Sequence, residues 1–190
     1  MGKISAREFN LKMGGTVVVR SATPDDALAL VDQVKTVIVE GEFMVTCPEE
    51  FHVTQEQERD SIRQYGDDPG KLLIVAEASR QIIGTLFLDS GSRNRLLHVA
   101  TLRMWVGKDW RSRGAGTVLL RSAIEWAQSH PVIEKLSLAV FSTNSRAISL
   151  YRKLGFVEEG RRPREVKFGP DQYVDDILMY RFVKNPSDAT

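Results

Sequence analysis

One cysteine, Cys47, stands in 190 residues. An intrachain disulfide is therefore excluded, and a reducing cytoplasm is the simpler expectation. Histidine is nearly as scarce: His52, His98 and His130 are far apart, and no Cys/His spacing fits zinc, so no metal is expected. An excess of one charge is missing too. Lys and Arg number 26 against 25 Asp and Glu, so no global field argues for nucleic acid or an anionic membrane. No run approaches the roughly 18 apolar residues of a membrane span. The N-terminus lacks an apolar run with a small-residue cleavage site. Met1-Gly2 begins like a myristoylation signal, but Ala6 stands where Ser or Thr is required. No repeat and no Pro-, Gly- or Ser-rich linker divides the chain. The remaining composition is that of an ordinary globular protein, at a length that suits one domain with a sizeable core.

What is there is organised around residues 102–128. An apolar strand leads into Gly107-Lys-Asp-Trp-Arg-Ser-Arg-Gly-Ala-Gly116, and an amphipathic helix follows. The first N–H groups of a helix lack intrahelical partners and carry partial positive charge. Gly114 and Gly116 let a ligand approach the backbone, and Arg111 and Arg113 add charges suited to phosphate. The stretch reads as a phosphate or pyrophosphate cradle. It is not a Walker loop, because Thr117 and Val118 follow Gly116, and not a dinucleotide fingerprint, because Leu119 replaces the third glycine.

Around it, the pattern predicts strand 16–20, then a helix opened by Thr23-Pro24-Asp25-Asp26, with Ala27, Leu30, Val31, Val34, Val37 and Ile38 as its apolar stripe. Residues 40–51 show no period and mix Glu40, Glu42, Glu49 and Glu50 with Phe43, Met44 and Phe51, which suits either a solvated loop or a pocket for a cationic amine. Thr54 with Gln57 forms a capping box for a second helix. Runs 72–76 and 82–88 read as a hairpin, with Gly84 marking a bulge or a close backbone approach. Strand 98–106 alternates Leu102, Met104 and Val106 against Thr101, Arg103 and Trp105. After the central helix come a strand around 136–140, a helix from Asn144 to a left-handed Gly155, a strand from Phe156, and a last strand 173–182. The order β α α β β β α β α β β predicts an α/β (α+β) domain: a single mixed, mostly antiparallel sheet of about seven strands with helices on both faces. The domain spans 16–183, with an arm at 1–15 that is either loose or a short added element, and a disordered tail at 184–190.

The spacing Arg111-x-x-Gly114-x-Gly116 resembles the pyrophosphate-binding signature of the GNAT acetyl-CoA-dependent N-acetyltransferases. Asn144-x-x-Ala147-x-x-x-Tyr151-x-x-x-Gly155-Phe156 resembles the family's second signature, in the family's order. Tyr173-x-Asp175-x-x-x-Met179 is similar to the last strand of family branches that include ribosomal-protein and spermidine acetyltransferases. The resemblance implies the GNAT fold, with acetyl-CoA as co-substrate and an amine acceptor as partners, and extends to a homodimer. It implies that Arg111, Arg113, Gly114, Ala115, Gly116 and Thr117 hold the CoA diphosphate. It places Met104, Trp105 and Val106 along the pantetheine arm, and Asn144, Arg146 and Tyr151 beside the coenzyme. Val106 would supply the backbone oxyanion donor and Tyr151 the general acid.

Each position has a plainer reading: surface charge for the arginines, a helix cap for Asn144, a core phenol for Tyr151. His98 is the residue type that titrates in the range of a base, although a structural histidine reads as well; Glu42, Glu50 and Asp175 could act through water. Glu42 and Asp175 are the carboxylates expected to face the acceptor, which the acidic residues incline towards a polyamine-like molecule or a peptide N-terminus. A binding module of the same fold without turnover is the competing expectation.

Overall fold

The computed structural model describes residues 2–12 and 14–184. It contains one eight-stranded sheet, in the order β1-β2-β3-β4-β5-β6-β8-β7. The strands are β1 (Arg7–Asn10), β2 (Thr16–Ser21), β3 (Lys71–Ala78), β4 (Gln81–Ser90), β5 (Val99–Val106), β6 (Lys135–Phe141), β7 (Val157–Gly169) and β8 (Gln172–Phe182). Among the described residues only the β5–β6 pair is parallel. The sheet has one strand more than the sequence predicts. Residues 7–10, inside the arm, pair antiparallel with β2, so the arm is an added element rather than a loose one. The expected tail lies outside the described residues from 185 onward. Lys184 itself is anchored, its Nζ donating to the carbonyls of His130 and Pro131.

Four helices cover the sheet: α1 (Ala27–Glu40), α2 (Gln55–Asp67), α3 (Ala115–Ser129) and α4 (Ser145–Lys153). Their ends are set by local chemistry. The Thr54 and Gln57 side chains cap each other's backbone N–H at 3.2 and 2.9 Å. Asn144 Oδ1 accepts from the Ala147 N–H at 3.1 Å. Gly155, at φ +81°, takes the left-handed position that ends α4.

Alternation along the strands sorts the core into two layers. On one face Leu102, Leu136, Leu138, Val140, Ile177 and Met179 pack with α3 and α4. On the other, Leu73, Val75 and Phe87 pack with Ala27 and Leu30 of α1 and Ile62 and Tyr65 of α2. Gly84 serves both expected purposes. An extra residue, Ile83, bulges β4 beside it, and a Cβ at Gly84 would stand 3.0 Å from Leu119 of α3.

An ion-pair network fixes the entry to α1. Arg20 donates to both Asp26 oxygens at 2.7 and 2.8 Å and to Glu77 at 2.8 and 3.0 Å. Burial alone would raise the Asp26 carboxyl; hydrogen bonds from Arg20 and Thr23 outweigh it and hold the group below its ordinary value. A carboxyl depressed in the folded state stabilises above its unfolded pKa and loses that contribution as pH falls through the folded one. Asp26→Asn is expected to lower stability by about 2 kcal/mol at neutral pH. The gap to wild type should narrow below about pH 4, as urea titrations across pH would measure.

Candidate active site

β5 and β6 pair at three positions only, Val99 with Lys135, Ala100 with Leu136 and Thr101 with Ser137. Beyond Thr101 the strands part, while β5 stays laddered to β4 as far as Val106 and β6 to β8 as far as Phe141. The Gly107 N–H donates to the Ile83 carbonyl at 2.9 Å. In an antiparallel ladder bonded residues alternate, so the backbone groups of Leu102, Met104 and Val106 point away from β4 and into the gap. A cleft of about 780 Å³ runs along it, lined by Met104, Trp105 and Val106 on one side and by Ala139, Val140 and Phe141 on the other.

The turn into α3 closes one end of this cleft. Ser112 and Gly114 lie at φ +62° and +108°, and such a kinked loop turns successive N–H groups the same way. The Thr117 and Val118 N–H groups both bond the Gly114 carbonyl, at 2.9 and 3.1 Å. Thr117 therefore offers a ligand its hydroxyl rather than its amide. Gly114, Gly116 and Thr117 line the cleft, and Ala115 is wholly buried behind them.

The two arginines have other engagements. Arg111 Nε donates to the Val106 carbonyl at 2.9 Å, and its Nη2 is ion-paired with Glu40 at the end of α1. Arg111 thus braces the tip of β5 against α1 instead of reaching across the loop. The other oxygen of Glu40 is buried and has no hydrogen-bond partner among the described residues. Arg113 stacks its guanidinium over the Trp110 ring at 5.5 Å.

From α4, Asn144, Arg146 and Tyr151 all line the cleft. Asn144 is a cap as well as a wall residue, which leaves its amide NH₂ to face a ligand. Tyr151 is 6% exposed, its ring 5.8 Å from that of Phe156. Burial alone pushes the phenol up to about 12, so the hydroxyl is protonated at any physiological pH.

The other predicted acceptor-side residues are not brought to this point. His98 lies at the opposite end of β5 from Val106, roughly 25 Å away at about 3.3 Å per residue. Its carbonyl holds the Glu134 and Lys135 N–H groups. Glu42 is exposed just past α1. Asp175 is taken up by Arg161 at 3.3 Å and the Arg164 N–H at 2.7 Å. The carboxyls that do line the cleft are Glu40, Glu58 and Asp176. Burial raises the Glu58 carboxyl, against the opposing charge of Arg103. An aromatic row, Tyr65, Phe87 and Trp105, with ring centroids 5.4 and 5.0 Å apart, floors the same side. The indole N–H of Trp105 is buried without a partner among the described residues. Strand alternation could have separated Asp176 from Asp175, but only with the pairing of β8 to β6 in hand.

A split parallel pair with a left-handed turn at its mouth is the arrangement of an acyl-CoA-dependent transferase. Residues 40–156 match the family model described as Acetyltransferase (GNAT) family, and the chain belongs to that family of acyltransferases. It is 33% identical over 115 residues to the L-amino acid N-acetyltransferase AaaT of Escherichia coli, covering 60% of this chain and 70% of that one. It is 26% identical over 114 residues to the spermidine N(1)-acetyltransferase of Vibrio cholerae, covering 60% of this chain and 64% of that one. A solved GNAT acetyltransferase from Streptococcus pneumoniae superposes with a TM-score of 0.84 at 28% identity, over 88% of this chain and 99% of that one. A putative acetyltransferase from Salmonella typhimurium, solved with its cofactor acetyl-CoA, shares the fold with a TM-score of 0.79 at 18% identity, over 93% and 96%. Among the described residues no helix is long and apolar enough to cross a membrane, and no cluster of His, Cys, Asp and Glu could hold a metal.

Proposed function

We propose that the protein transfers the acetyl group of acetyl-CoA to a primary amine by direct attack in a ternary complex. The observation that carries this reading is the open edge of β5. The backbone of Met104 and the N–H of Val106 face, without a strand partner, a cleft whose far end is the kinked amide-bearing loop at 112–117. At Gly116 an added Cβ would press to 3.2 Å on Leu150, so the start of α3 lies close against α4 beside the open edge of β5. Amides of the loop would hold the diphosphate, with Arg113 and Arg146 adding charge nearby. The β5 edge would pair with the pantetheine amides as an added strand.

The residues at the tip of β5 then have distinct work. The Val106 N–H is directed at the developing oxyanion, and one such donor is worth about 3 kcal/mol. Arg111, by holding the Val106 carbonyl, fixes the peptide plane at the end of the strand and so stiffens the tip from which that N–H is presented. Tyr151 supplies a proton to the departing sulfur, because its hydroxyl reaches the cleft, holds its proton and is not committed elsewhere. A free primary amine titrates about three units above neutrality, so its deprotonation costs roughly 4 kcal/mol at pH 7; a carboxyl in the cleft lowers that cost.

A panel of polyamines, amino acids, aminoglycosides and short peptides, with acetyl-CoA and a thiol-release readout, tests the reading. Acetylation of at least one class, with stoichiometric free CoA, is the expected result. Binding of CoA without turnover on any amine would overturn it in favour of a silent binding module.

A further inference from the structure

Among the carboxyls that line the cleft, Asp176 has a position that strand register defines closely. The three β5–β6 pairs keep one constant offset. Carried forward along the gap, that offset sets Trp105 level with Phe141, and Phe141 pairs directly with Asp176 on β8. The Thr101 and Ser137 hydroxyls, 3.4 Å apart, mark one face of the sheet. By alternation Trp105, Phe141 and Asp176 lie on that face, the one covered by α1 and α2. Tyr151 packs in the core on the opposite face. Asp176 thus stands at the end of the gap, level with the tip of β5, and Tyr151 lines the same cleft from the opposite face of the sheet. Asp176 is 9% exposed, lines the cleft and makes no hydrogen bond among the described residues. Its oxygens are not sealed from solvent, and the residue borders a cleft that a cation could enter.

We propose that Asp176 receives the acceptor as its ammonium and takes one proton from it before attack. The inference rests on the acetyl-transfer reading above. An ammonium N–H bond breaks and its proton passes to the Asp176 carboxylate. The freed lone pair forms the N–C bond to the thioester carbonyl, whose π pair moves onto the oxygen beside the Val106 N–H. Collapse restores the carbonyl and breaks the C–S bond, and Tyr151 gives its proton to the sulfur. The nitrogen then sheds a second proton, equivalent to the one that Tyr151 regains from solvent, and Asp176 releases the first.

The surrounding charges support the role. Burial raises the Asp176 carboxyl first, Glu165 of β7 adds to it and Arg162 of β7 opposes it, which brings its proton affinity closer to that of an amine. Around the cleft stand Glu58, Arg103, Lys153, Lys12 and the Glu40–Arg111 pair. Arg103 is held by Asp89 at 2.8 Å, and Arg111 by Glu40.

The test is Asp176→Asn assayed with the best amine of the panel at about pH 7.5 and about pH 10; a simple amine is roughly one quarter free base at the higher pH and about one thousandth at the lower. At the lower pH, kcat should fall roughly 100-fold with KM for acetyl-CoA unchanged. At the higher pH the rate should return to within about tenfold of wild type, because a sizeable share of the amine then arrives without the proton. The quantity read is the ratio of the two rates in one preparation, from which any inactive fraction cancels. A ratio at least about tenfold above wild type supports the assignment; a ratio equal to wild type overturns it. A wild-type protein that acetylates nothing would instead remove the acetyl-transfer reading.

Discussion

Tyr151→Phe should lower kcat by about two to three orders of magnitude while KM for acetyl-CoA stays within about twofold of wild type. The expectation follows from what the substitution removes. The ring and its packing against Phe156 remain, so the helix and the cleft wall keep their shape. The lost hydroxyl has no hydrogen-bond partner in the described residues, and its removal leaves no orphaned group behind. The melting temperature should therefore hold or rise slightly. The rate falls because sulfur must leave as an unprotonated thiolate into a site sheltered from water. The pH dependence gives an independent readout. Burial keeps the phenol protonated up to about 12. The wild-type rate should therefore show no alkaline decline between about pH 8 and 10 from loss of the acid, and the rising limb should belong to the amine and to its base. A Phe variant of undiminished rate across that range would assign Tyr151 to the core alone.

The parts of this site that the sequence discloses are those written in adjacent residues. The cradle and the Asn144-to-Tyr151 helix are each defined by spacing within one turn and one helix, and the strands beside them by an apolar period. Caps such as Thr54 with Gln57 depend on side chains three residues apart and emerge where expected. What the sequence conceals is decided by pairing across long separations. Arg111 reads as a phosphate ligand until Glu40, 71 positions earlier, is seen to hold it. Asp175 and Asp176 are indistinguishable as neighbours. Only the β6–β8 register turns one into the cleft and the other to Arg161. The arm at 7–10 has too few residues to announce a strand, and becomes one because β2 offers it an unpaired edge. His98 has suitable chemistry for a base, but the length of β5 separates it from the tip where the chemistry occurs. Residue type suggests candidates, and tertiary register selects among them.

The same logic identifies the substitution that should most damage coenzyme binding. Gly116 lies in the first turn of α3, where its N–H has no intrahelical acceptor. The direction a side chain would take from it is already occupied: a Cβ would meet Leu150 at 3.2 Å, Met104 at 3.6 Å and Val106 at 3.7 Å. Gly116→Val places two further carbons between the loop and the open edge of β5, where the diphosphate must turn into the pantetheine arm. Loss of even one or two charge-assisted hydrogen bonds there removes about 3 kcal/mol, so affinity for CoA by calorimetry should fall at least about 100-fold. Gly116→Ala should lose no more than about tenfold, because the nearest atom it crowds is the end of the Leu150 side chain, which can yield. Alanine favours a helix over glycine by up to about 1 kcal/mol, so the Ala variant should melt no lower than wild type. A valine variant that binds CoA at wild-type affinity would place the diphosphate away from this helix end. The open edge of β5 would then have no coenzyme to pair with, and acetyl transfer would lose its structural basis.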